Sequence, residues 1–225
     1  MADVSRLPQR IALINTCPQA MVAAGEHLLE DLRDALLAYD RLSGGSLART
    51  RGEEGPSFIW VDGTKEPLEG DPCDTVVAAL CDAAPNAPAI EMEARIAAAG
   101  PGTIAKGARL YAVVIVLDAD PQGAKAIIPE LESACQHLGI RWCGALAVAG
   151  GALIARHARQ PRMGFLRRSR SEAIDRLIGA VRAGATVGEA AELFKDPANP
   201  GRDDLIEARC PIPRWMYRLM GDSAR

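Results

Sequence analysis

One segment limits the folds open to this chain more than any other. Ala108-Arg-Leu-Tyr-Ala-Val-Val-Ile-Val-Leu117 is an almost unbroken apolar run rich in β-branched residues, which reads as a strand. It does not alternate polar with apolar, so neither of its faces meets water. A strand of that kind belongs in the middle of a parallel sheet covered by helices on both sides. At this length it falls far short of a bilayer span.

The rest of the chain supplies what such a strand demands. Arg10-Ile-Ala-Leu-Ile-Asn15 reads as a buried strand, and Val22, Gly25, Leu28, Leu29, Leu32, Leu36 and Tyr39 mark one stripe of the helix after it. Ser57-Phe-Ile-Trp-Val61 and Asp74 to Leu80 are further strands, with a helix over Pro88 to Ala98. After the apolar strand come a loop from Asp118 to Gly123, a helix from Ala124 to Leu138 stopped by Gly139, and a strand from Trp142 to Val148. Ser169-x-x-Glu172 and Thr186-x-x-Glu189 match capping boxes at two later helix starts. Strands alternating with helices predict one α/β domain with a five-stranded parallel sheet, its crossovers right-handed and its ligands at the carboxyl ends of the strands.

The predicted domain covers residues 1–209. Residues 210–225 form a tail with Trp215, Met216, Tyr217, Leu219 and Met220, and this cluster must be covered by the domain or by a second copy. A homodimer is the expectation.

Charge and cysteine usage exclude several classes. A formal charge of -3 and a pI near 5.7 give no attraction for nucleic acid or an anionic membrane. The first ten residues hold no apolar run of signal-peptide length, which points to the cytoplasm. Six cysteines occur with no C-x-x-C pair, so spacing gives neither a zinc site nor a redox dithiol, and buried reduced thiols are the plain reading. His27, His137 and His157 share no spacing that would make a general base or a metal site. No nucleophile elbow is present, and no catalytic residue is assigned.

The order of these segments resembles the flavodoxin-like NAD(P)H-dependent FMN reductase family. The likeness rests on the opening strand, loop and helix; on Asp74-Thr-Val-Val-Ala-Ala with its loop closed by Pro88; on Leu110 to Val116 followed by the Gly-rich strand within Leu138 to Leu153; and on Pro213-Arg-Trp-Met-Tyr-Arg-Leu-Met220. The resemblance implies a three-layer sandwich with sheet order 2-1-3-4-5. It also implies FMN at the loops after strands one, three and four, and NAD(P)H as co-substrate. The cofactor contacts would come from Asn15, Thr16 and Gln19, from Cys81, Asp82 and Asn86, and from Asp118 and Gln122. The protein would position the flavin and contribute no acid or base.

The residues of those loops read differently from the family pattern. Pro18 removes an amide donor from the phosphate loop, and the loop from Cys81 to Pro88 has no aromatic residue to stack on the flavin. With three Trp, three Tyr and three Phe in the whole chain, stacking partners are scarce. Asp82, Asp118 and Asp120 place carboxylates where a bound dianion would be repelled; they could alternatively converge on a cation or an amine. Two functions stay open: an FMN-dependent oxidoreductase, or a non-catalytic binding or interaction protein that has lost the flavin. The basic stretch from Arg156 to Arg170 could hold a dinucleotide phosphate or an acidic partner, or be a solvated loop.

Overall fold

The computed structural model describes residues 9–42, 56–61, 70–83, 87–157, 166–200 and 203–222. Its strands are β1 (Arg10–Asn15), β2 (Ser57–Val61), β3 (Cys73–Cys81), β4 (Ile104–Val116), β5 (Arg141–Ala149) and β6 (Leu205–Ala208). They form one parallel sheet in the order β2-β1-β3-β4-β5-β6. This is the flavodoxin-like sandwich with one more strand than the five expected.

The apolar run is indeed central. Leu110 to Val116 are all buried, including Tyr111, whose hydroxyl donates to the carbonyls of Ala185 at 2.8 Å and Ala180 at 3.2 Å. That bond satisfies the polar end of a buried ring and ties the middle of the sheet to the helix outside it. One face of the sheet is covered by α1 (Val22–Leu42), α4 (Gly151–His157), α5 (Leu166–Ala183) and α6 (Val187–Phe194); the other by α2 (Ala87–Ala98) and α3 (Ile128–Leu138). The stripe of α1 buries Leu28, Leu29, Leu32 and Leu36 as its spacing requires. The tail forms α7 (Arg214–Asp222).

β3, β4 and β5 begin ahead of the bounds read from the sequence, β4 at Ile104 and not Ala108, and three further differences bear on the fold. The helix expected from Ala124 begins at Ile128, after a 3-10 turn over Pro121–Ala126; Pro129 lacks an amide donor and fits only the first turn of a helix. α5 begins at Leu166, ahead of Ser169, so the end of the basic stretch is helical, and Arg170 is buried there. The sixth strand, Leu205-Ile-Glu-Ala208, is too short and too mixed to show a period. Its place is set by Gly144 of β5, whose φ is +114°; a Cβ there would fall 2.7 Å from the Asp204 carbonyl oxygen, which accepts the Ala145 amide at 2.8 Å. Glycine alone lets the chain approach that closely. The box at Thr186 forms as read, with both its hydrogen bonds present.

Candidate functional site

Strand order reverses between β1 and β3, so the crevice at their carboxyl ends is where a ligand is favoured. Its first wall is the segment from Asn15 to Met21. The Asn15 amide oxygen accepts from Cys17 N at 3.1 Å, and its nitrogen donates to the Val22 carbonyl at 2.9 Å. Gly25 makes room for it, since a Cβ at that position would lie 2.4 Å from Asn15 Oδ1. Thr16 donates both its backbone amide, at 2.9 Å, and its hydroxyl, at 3.0 Å, to the Ala79 carbonyl. Met21 N donates to the Pro18 carbonyl at 2.7 Å. With Pro18 lacking an amide, the loop amides not engaged in these bonds are those of Gln19 and Ala20. Gln19 is exposed in a 3-10 turn that runs directly into α1.

The second wall carries Cys81 and Asp82; Asn86 lies outside the described residues. Burial raises the Cys81 thiol, and burial reinforced by the neighbouring Cys81 raises Cys17 to about 12. Both are neutral at physiological pH and are poor nucleophiles. Asp82 Oδ1 accepts from Leu117 N at 2.9 Å, and Asp82 N donates to the Ile115 carbonyl at 3.1 Å. Its other carboxylate oxygen faces Gly123, where a Cβ would sit 2.8 Å away. Burial raises the Asp82 pKa, with Asp118 adding to the effect against the backbone donors. Asp82 therefore joins the loop after β3 to the loop after β4.

The third wall is closed by the tail. Arg214 donates to Asp118 Oδ2 at 2.9 Å, the Tyr217 hydroxyl donates to the Leu117 carbonyl, and Gly150 N donates to the Asp118 carbonyl at 2.7 Å. Leu153, Ile212 and Tyr217 pack together beneath it. Partial burial pushes the Asp118 carboxyl up, but the hydrogen bond and charge of Arg214 and the Ala119 and Asp120 amides outweigh this and hold it below the ordinary value. Asp120 accepts from Gln122 N at 3.2 Å, and the Gln122 side chain donates to Glu207 of β6 at 2.8 Å.

No protein-family model matches the chain, and no curated protein matches it in sequence.

The described atoms of the crevice leave a flavin phosphate the Gln19 side chain and the backbone amides of Gln19 and Ala20. A phosphate dianion needs hydroxyl, amide or backbone donors aimed at it, and Asn15 and Thr16, two of the three side chains expected to supply them, are committed to the protein. The ring would find a carboxylate and no aromatic residue on the β3 loop. Asp118 is near enough for its charge to act on Asp82, but among the described residues no group of three His, Cys, Asp or Glu side chains could hold a metal ion.

Among the described residues, one open space at this edge lies further along, at the ends of β4 to β6. There Asp120, Gln122, Arg209, Cys210 and Arg214 line a cleft of about 370 Å³. Arg209, Arg214 and Tyr217 were not among the expected site residues. The Pro213-Arg-Trp-Met-Tyr pattern carried the signal of Arg214 and Tyr217, yet nothing in it told which loop the tail would reach, and no pattern marked Arg209.

Proposed function

We propose that this chain is a non-catalytic, flavodoxin-like binding protein whose ligand sits beyond β4, in the cleft lined by Arg209 and Arg214, and not in the flavin crevice. The observation that carries this reading is the commitment of Asn15 and Thr16: the groups that would meet a flavin phosphate instead hold β1, β3 and α1 together. Arg209 and Arg214 line that cleft and suit a small molecule with an acidic group. Such a molecule would share Arg214 with Asp118 and displace or share the bond from Gln122 to Glu207, while Asp120 on the same wall suits a donor group on it. Six free thiols, five of them buried, fit a reducing compartment, and no helix among the described residues is long and apolar enough to cross a membrane. We place the protein in the cytoplasm.

FMN and inorganic phosphate titrated side by side test this reading. Flavin fluorescence should show no saturable quenching, whereas phosphate should raise the melting temperature of the wild type and not of an Arg209→Ala, Arg214→Ala double variant. The NAD(P)H-dependent FMN oxidoreductase remains the second reading, favoured by the strand order and by the reversal point between β1 and β3. Micromolar FMN quenching would establish it in place of the first.

The tail carries a related proposal. Tyr217 is buried, but Trp215 and Leu219 are 66% and 62% exposed on the same helix. Four residues apart, they share one face, and a homodimer formed through that face would cover both.

A further inference from the structure

A second cleft, of about 430 Å³, lies on the helical face formed by α5 and α6. It sits toward the amino-terminal ends of β4 to β6, where Tyr111 meets the end of α5 and Val187 packs on Gly144, and is thus remote from the carboxyl edge. Tyr39 from the end of α1, Ile178 from α5, Phe194 from α6 and Ile206 from β6 supply apolar walls.

Two features mark it as more than a fold in the surface. The Phe194 ring rests against Gly179 of α5, where a Cβ would meet Phe194 Cε2 at 3.2 Å. A glycine inside a helix ordinarily weakens it relative to alanine, yet the ring this one admits is still 60% exposed. The aromatic wall is seated against the helix while much of it stays open to an occupant.

The second feature is charge balance. The charged residues lining the cleft are Asp175, Arg176, Arg182 and Asp196, two of each sign. Arg176 pairs with Asp196 at 3.2 Å, and the Arg182 guanidinium lies 5.4 Å from the centre of the Tyr39 ring. A neutral guest would meet no net charge and break no ion pair, whereas a charged one would compete with both arrangements.

We propose that this cleft binds a neutral, largely apolar, ring-containing small molecule between Tyr39 and Phe194. The volume lies within the range of about 300 to 1,000 Å³ usual for such sites, and the aromatic walls offer ring faces for stacking. The inference is independent of what the carboxyl edge binds.

The test uses the full chain and the neutral, polarity-sensitive dye N-phenyl-naphthylamine. Fluorescence should rise saturably with one dye per chain, and Phe194→Ala should weaken binding by about three- to tenfold, the order expected for one lost aromatic contact. Because Phe194 is mostly exposed, its truncation spares the core. Leu193→Ala, on the same helix but outside the cleft and 65% exposed, should bind as the wild type does. The proposal is overturned by an absence of saturable binding, by equal affinity in Phe194→Ala, or by equal loss in Leu193→Ala. It is equally overturned if Phe194→Ala turns a dimer into a monomer on a sizing column, which would make this face an interface between copies.

Discussion

Asn15 shows how a residue of the right type at the right place can be spoken for. From the sequence it is a polar group opening a loop at the ligand edge. In the fold its amide is clamped at both ends, and Gly25 is shaped around it. Asn15→Ala should therefore destabilise the protein with no ligand present, by about 1 to 2 kcal/mol for two lost hydrogen bonds and the part-buried groups they leave unpaired. A lower urea midpoint at unchanged slope would show it; an unchanged midpoint would return Asn15 to the list of ligand donors. Asp82 makes the complementary case. Burial raises its pKa, so the folded state holds that proton more tightly than the unfolded chain does, and its contribution to stability falls as pH rises from below about 4, the ordinary carboxylate value, through the raised one. Asparagine keeps the acceptor for Leu117 N and removes the charge. Asp82→Asn should be at least as stable as the wild type at pH 7, with its advantage shrinking toward pH 3; a marked loss at pH 7 would mean that the carboxylate itself holds the loops.

At the scale of elements, the sequence was most legible where hydrophobic period and length agree. β1, β3, β4 and α1 were read closely because long apolar runs and a clean stripe admit one interpretation. β6 was not, since four residues at a sheet edge carry too little pattern, and its pairing depends on Gly144, which in sequence looks like any glycine in a Gly-rich strand. The candidate site was legible only as loops. Which partner each polar group takes depends on residues far along the chain: Asp118 on Arg214, Gln122 on Glu207, Thr16 on Ala79. The tail shows the same limit, because its amphipathic run required burial but not a particular surface. One face proved to pack on its own domain. The other gives a prediction: if Trp215 and Leu219 form a dimer contact, Trp215→Ser, Leu219→Ser should elute from a sizing column as a monomer where the wild type elutes as a dimer, with the same melting temperature when both are monomeric at high dilution. Identical elution of the two proteins would remove the contact.

For the whole molecule, fold and task separate. The sheet order places a ligand crevice between β1 and β3, and the amino acids there turn inward: Asn15 and Thr16 toward the backbone, Asp82 toward the β4 loop, and Asp118 toward the tail. The Asp118 to Arg214 pair is about half exposed and is worth at most about 1 kcal/mol, so the closure is a sum of modest ties and not one lock. A fold can keep its topology while its site changes, and function follows the site. The most direct test is a flavin titration of the purified full chain, with its visible absorption recorded first. The account predicts no flavin bands and no saturable quenching of FMN fluorescence, with any affinity weaker than a Kd of about 100 μM. A yellow protein, or quenching that saturates at micromolar FMN with one site per chain, would contradict it.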